Sequence, residues 1–182
     1  MTSDPYLKEA FPLPPMVAYK RPENVKNKLI TTKVPPLTSQ RPQRTQPGMK
    51  KCLDCKICPY VRNCKYVKST ETEVTIEISK EVTCKSKNII YCITCRKCKI
   101  QYIGESERTL MERFSEHLGY VHNEHMNKAT GGHFNQKGHS VSDMEVAIIE
   151  KIFSHDPLVR KERESMFIKK FNTKHKGLNM KR

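Results

Sequence analysis

Five side chains carry the chemical interest of this sequence. Tyr91 and Tyr102 stand eleven positions apart, Arg113 and His117 are one helical turn apart, and Glu164 lies well downstream. Cleaving a phosphodiester needs a water placed in line with the phosphorus, a group to take its proton, and positive charge for the non-bridging oxygens. A carboxylate for a divalent ion, a cation for the phosphate and a base for water supply these, and Glu164, Arg113 and the Tyr91, Tyr102 and His117 group have the right types. A single acidic ligand is no defect, because magnesium keeps several waters and takes only one or two protein carboxylates. Taken singly each residue says little. A strand tyrosine is ordinarily core or rim, and a helical Glu or Arg ordinarily faces solvent, so the inference rests on the joint pattern.

A second chemistry is written in the cysteines. All eight fall between Cys52 and Cys98, and four pairs have C-x-x-C spacing. The first residues show no signal-peptide apolar core, and no run approaches the ~18 apolar residues of a membrane span. The chain therefore reads as nuclear or cytoplasmic, where disulfides are disfavoured and metal ligation is the expected use of such spacing. Cys95 and Cys98 in one turn suit two thiolates on a tetrahedral zinc. His133 and His139, at H-x5-H spacing, are the candidates for the other two ligands, with His122 and His125 as competitors. A second zinc would draw on Cys52, Cys55, Cys58, Cys64 and Cys84, five candidates for four places, with Cys55, Cys58, Cys64 and Cys84 favoured. Cys92 follows Tyr91 on a strand, so it should point to the opposite face as a buried thiol.

These groups need elements to hold them. Val74, Ile76 and Ile78 alternate with Glu73, Thr75 and Glu77, the period of a half-buried strand. Residues 88–94 and 99–102 read as two strands joined by the turn that carries Cys95 and Cys98, with Gly104 closing the second strand. A helix is predicted over 106–120, capped by Ser106 with Glu107 in its first turn. Its buried stripe would be Leu110, Phe114 and Leu118, with Arg113 and His117 sharing another face. Residues 121–143 read as loop and 146–149 as a short buried strand. Asp156-Pro157 opens a second helix running to about Phe171. Strand, strand, helix, strand, helix makes a small α/β domain.

The chain has 182 residues, 34 Lys+Arg against 19 Asp+Glu, and a formal charge of +15. That balance favours a polyanionic partner, nucleic acid before membrane. Nine of the eleven prolines lie in residues 1–51, with ten Lys/Arg against three Asp/Glu. Such a stretch is expected to be a basic, Pro-rich, disordered arm. The organisation is thus 1–51 arm, 52–87 Cys-rich zinc-binding lead-in, and 88–182 catalytic-type domain.

The joint pattern resembles the GIY-YIG endonuclease family, most closely the endonuclease domain of Penelope-like retroelements. Ile89-Ile90-Tyr91 stands where the family writes G-I-Y, and Tyr102-Ile103-Gly104 matches Y-I-G. Arg113 and His117 match the following R-x-x-x-H. Arg163-Glu164-Ser165-Met166-Phe167-Ile168 resembles R-E-x-x-W-I, and Asn179 falls where the family places its terminal Asn. The run Arg21, Asn24, Leu29 resembles the R-x-x-N-x-x-x-x-L segment preceding the endonuclease in Penelope-like polyproteins. The likeness spans roughly Cys52 to Asn179. It implies a short, mainly antiparallel sheet flanked by helices, zinc-stabilised, and a metal-dependent DNA endonuclease that nicks one strand at a time. By resemblance, Tyr91 and Tyr102 position or deprotonate the water and Arg113 holds the phosphate. Glu164 would bind Mg2+ (or Mn2+), His117 would assist proton transfer, and Asn179 would order the site from behind. Cys95, Cys98, His133 and His139 resemble the zinc site embedded in Penelope-like endonucleases. Two departures stand out. Ile89 replaces the glycine of G-I-Y, as it does in the Penelope-like branch, and Tyr102 to Arg113 is one residue longer than in phage homing enzymes.

Two rival readings remain. One is a nucleic-acid-binding module of the same fold without turnover. The other is a zinc-stabilised protein-interaction domain, which leaves the Tyr/Arg/Glu pattern unexplained.

Overall fold

In the computed structural model, residues 46–154 and 156–179 are described. The segment containing Arg21, Asn24 and Leu29 lies outside them, as does nearly all of the expected arm. A strand inside that expected arm, β1 (Gly48–Lys50), pairs in parallel with β4 (Glu81–Thr83). A second pair, β2 (Tyr66–Lys68) and β3 (Thr75–Glu77), is antiparallel, and β3 falls on the predicted alternating run. Strands of three residues do not stand alone in water. This lead-in is fastened instead to the main sheet, through a bridge between Val61 and Val146 and a hydrogen bond from Arg62 N to Val146 O at 3.0 Å.

The main sheet has the order β6-β5-β7, with both pairs antiparallel. Its strands are β5 (Ile89–Cys95), β6 (Gln101–Ser106) and β7 (Met144–Lys151). Central β5 is apolar almost throughout because helices cover both of its faces. Ile89, Ile90, Tyr91 and Ile93 are fully buried, each contributing roughly 1.5–3 kcal/mol relative to exposure. Gly104 does not end β6. It lies within the strand opposite Tyr91, and the strand continues to Ser106. The close approach it permits is to the Tyr91 ring, since a Cβ there would meet Tyr91 Oη at 2.5 Å and Tyr102 Cε1 at 2.9 Å.

Helix α1 (Leu110–His122) begins later than predicted, because Thr109 and not Ser106 is its cap. Thr109 Oγ1 accepts from Glu112 N at 3.2 Å while Glu112 accepts from Thr109 N at 2.9 Å, a reciprocal capping box. Ser106 stays in β6. The buried stripe is Leu110, Phe114, His117 and Val121, with Leu118 only half-buried. The stretch expected to be loop holds a short helix, α2 (Ala129–Phe134), and a 3-10 turn at Val141–Asp143. Helix α3 (Pro157–Lys170) starts as predicted, with Asp156 Oδ1 accepting from Leu158 N at 2.8 Å. A last short helix, α4 (Thr173–Lys176), leads to Asn179. No helix among the described residues is long and apolar enough to cross a membrane.

Strand alternation assigns the faces. Tyr91, Ile93 and Tyr102 share the face that α1 covers. Glu105 and Glu150, both paired with Ile90, project from the other, where Arg160 and Arg163 of α3 hold them. The helices bearing Arg113 and Glu164 thus approach edge strand β6 from its two sides.

Candidate active site and metal centres

Tyr91 is the centre of the cluster. Its Oη lies 2.8 Å from His117 Nε2 and accepts a hydrogen bond from Arg113 Nε at 3.1 Å. Burial, and then the neighbouring Tyr102, push the Tyr91 phenol far above its ordinary range, so it is protonated at neutral pH. Burial and then Arg113 pull His117 down to about 3, leaving a neutral imidazole. Its Nδ1 lies 3.1 Å from Thr130 Oγ1 on α2. That contact fixes the ring, and no local sequence signal had singled out Thr130. The Tyr102 ring sits 6.4 Å from the Tyr91 ring and 5.4 Å from His117, centroid to centroid. Its phenol is also raised, chiefly by burial.

Burial works against the charge of Arg113, but Tyr91 and Glu116 keep it firmly protonated. Arg113 Nη1 donates to Glu116 Oε2 at 2.6 Å, and Glu116 also binds Arg108. With Nε and Nη1 engaged, the remaining guanidinium hydrogens are available to an anion. A cleft of about 720 Å³ opens beside it, lined by Lys87, Arg108, Arg113 and Arg160 among others.

Glu164 is half-buried, and its carboxyl is raised by burial and then by Glu105, with Arg113 opposing. Its charge is in turn felt at both phenols. Glu105 is held by the almost fully buried Arg160, whose Nε donates to Glu105 Oε2 at 2.9 Å and Nη2 to Glu107 Oε2 at 3.2 Å. A half-buried carboxylate beside a second carboxylate is an environment that a cation would relieve. In that respect Glu164 fits a divalent ion. Asn179 acts on the edge strand from outside. Its Oδ1 accepts from Ile103 N and its Nδ2 donates to Ile103 O, both at 2.7 Å. One side chain thus serves the edge-facing groups of Ile103 as a neighbouring strand would.

Two thiol-rich clusters lie apart from this group. Cys95, Cys98, His133 and His139 place their ligand atoms within 4.8 Å of one another. Cys95 Sγ to His139 Nδ1 and Cys98 Sγ to His133 Nε2 are both 3.5 Å. Tetrahedral zinc, with Zn–S near 2.3 Å and Zn–N near 2.0 Å, sets the S···N edge at about 3.5 Å. His122 and His125 take no part. The second cluster is Cys52, Cys55, Cys58 and Cys84, not the expected set with Cys64. Its S···S distances from Cys58 are 3.7, 3.4 and 3.9 Å, against about 3.8 Å for a tetrahedral thiolate edge. Cys64 is turned away because its backbone is exchanged with Met49, N to O at 2.8 and 3.2 Å. Cys92 is buried on the face opposite Tyr91, as expected, and burial pushes its thiol up to about 12. These two groups of donors could each hold zinc.

The family comparison agrees with this geometry. Residues 87–179 match the GIY-YIG catalytic domain, and the chain belongs to that family. Among solved structures it is similar to the catalytic domain of the homing endonuclease I-TevI, at 24% identity, covering 50% of this chain and 96% of that one with a TM-score of 0.43. No curated protein sequence gives a significant match.

Proposed function

We propose that this chain is a divalent-metal-dependent DNA endonuclease that hydrolyses one phosphodiester strand at a time. The observation that carries the reading is the convergence of Tyr91, Arg113 and His117 into one hydrogen-bonded set within the electrostatic reach of Glu164. Arg113 would hold the scissile phosphate with its unengaged hydrogens. Tyr91 and Tyr102 would place the attacking water. When Nδ1–H of His117 donates to Thr130, Nε2 is the acceptor for the Tyr91 hydroxyl, so a proton passed from water to Tyr91 Oη can move on to His117. In the free protein that relay idles, because burial and then Arg113 depress His117. A phosphate seated on Arg113 offsets that cation and makes the imidazole a better acceptor. Glu164 would hold the divalent cation, magnesium or manganese, which when bound screens charge on the phosphate and the leaving oxygen. Asn179 would keep the strand bearing Tyr102 and Gly104 in register.

Zinc at the two Cys and Cys/His clusters would supply folding free energy to the lead-in and to the β5–β6 turn. The Ile89 position and the Cys–Cys–His–His set support an origin in a Penelope-like retroelement or a host copy of one, acting on nuclear DNA. The test is relaxation of supercoiled plasmid in magnesium, with Arg113→Ala alongside. Nicking that falls at least 100-fold in Arg113→Ala supports the reading, and DNA binding without cleavage at any divalent ion overturns it.

A further inference from the structure

We propose that the face of the sheet opposite the tyrosines carries a second binding site for the phosphate backbone of duplex DNA, so that one molecule holds two duplex segments at once. This rests on the nucleic-acid reading above but not on cleavage.

Thr94 pairs with Gln101 on β6 and with Glu145 on β7, so all three side chains project from the face away from Tyr91 and Tyr102. There a pocket of about 460 Å³ is walled by Arg62, Lys68, Arg96 and Lys99. Four cations surround Glu145, which anchors two of them. Glu145 Oε2 lies 3.3 Å from Arg62 Nη1, and Glu145 Oε1 lies 3.5 Å from Arg96 Nε. Arg62 Nη2 also donates to Tyr66 O and Arg96 Nη2 to Pro59 O, both at 3.4 Å, so both guanidinium groups are held in place and each keeps further hydrogens for phosphate oxygens.

The floor is built rather than incidental. Gln101 is buried, donates to Lys68 O at 3.0 Å and Thr94 Oγ1 at 3.3 Å, and accepts from Thr70 N at 3.1 Å. It fixes the end of β2 that presents Lys68. The Lys68 ammonium itself is free to bind, since its partner Glu73 is fully exposed at 3.9 Å. Tyr66 projects from the same face of β2 as Lys68 and is 59% exposed, a platform for a sugar or base beside the cations. Thr94 and Gln101 close the β5–β6 ladder at the end away from Ile89 and Ser106, so this pocket is separate from the cleft beside Arg113. An acidic peptide would satisfy the charges, but the forked donors, the exposed ring and the formal charge of +15 favour phosphodiesters.

The experiment uses the full chain carrying Glu164→Gln, so that DNA is bound and not consumed. A biotinylated 20-base-pair duplex is immobilised, protein is loaded, and capture of a second, fluorescent duplex is measured. Capture is then repeated with Lys68→Glu/Lys99→Glu added, with zinc content and circular dichroism confirming the fold. Without the added substitutions the protein should capture the second duplex. The double charge reversal should still load on the first duplex but capture at least 10-fold less of the second. Loss of two phosphate contacts should also flatten the slope of log K against log salt by about 1.8. Equal capture by both proteins, or no capture by either, overturns the proposal. Displacement of the second duplex by a few millimolar inorganic phosphate would also overturn it, because the pocket would then be a simple anion site. Plasmid nicking by the chain with Glu164 intact is read separately. Nicking with capture unaffected refutes this site alone, whereas lost capture without any nicking leaves this site standing and refutes the nuclease reading.

Discussion

Replacing Gly104 with alanine adds one methyl group at a crowded point of the sheet. The new Cβ would lie 2.5 Å from Tyr91 Oη, 2.6 Å from Tyr91 Cζ and 2.9 Å from Tyr102 Cε1. Carbon atoms settle at about 3.5–4.0 Å, so the Tyr91 ring or strand β6 has to retreat by roughly 1 Å. The ring has nowhere to go. It is fully buried, and its hydroxyl is held by His117 at 2.8 Å and Arg113 at 3.1 Å. Overpacking of this kind costs about 1–3 kcal/mol. A displacement near 1 Å at the reacting groups costs about 100-fold in rate. Urea unfolding and single-turnover nicking should therefore both fall in Gly104→Ala. Gly119→Ala is the control, because nothing lies within 4 Å of its added methyl and removing a helical glycine should stabilise by about 0.5–1 kcal/mol. A Gly104→Ala protein of normal stability that nicks within twofold of the wild type would refute the packing argument.

Zinc content should be two equivalents per chain, falling to one in Cys52→Ser and unchanged in Cys64→Ser, measured by metal release to a chromogenic chelator. His117 has a folded pKa of about 3, below the ~6.5 of the unfolded chain. Between those values the unfolded state binds more protons, so the stability His117 contributes is complete above pH ~6.5 and is lost as pH falls. Unfolding free energies from urea titrations at pH 7 to 5 should drop more steeply in the wild type than in His117→Gln, by up to about 1.4 kcal/mol per pH unit. The zinc ligands are common to both proteins and cancel in that difference. Arg160→Met would leave Glu105 uncompensated beside Glu164. The acid limb of the pH–rate profile should then move to higher pH, and an unmoved limb would show that Arg160 is merely structural.

Much of this is legible in the amino-acid sequence. The tyrosine strands, the Asp156-Pro157 helix start and the Cys95/Cys98/His133/His139 set follow from local pattern, because each depends on spacing within one or two elements. Where the structure differs from local pattern, the deciding contact lies elsewhere in the chain. Thr109-x-x-Glu112 is a readable capping box, and Ser106 competes with it as a cap only until the pairing of β6 with β5 takes Ser106 into the strand. His117 sits in register with Leu110, Phe114 and Val121, so its burial could have been anticipated from helical period. Thr130 could not, since only the fold of α2 onto α1 brings it to Nδ1 of His117. The choice of Cys52 over Cys64 is likewise tertiary, fixed by the backbone exchange between Cys64 and Met49.

The central claim is that the Glu164 carboxylate and the Arg113, Tyr91 and His117 group act on a single phosphate. The most direct measurement is the single-turnover nicking rate of Glu164→Gln in saturating magnesium, beside its affinity for the same DNA. The account predicts a rate lower by about 100- to 1000-fold with affinity and folding essentially unchanged. A Glu164→Gln protein that nicks as fast as the wild type would contradict it.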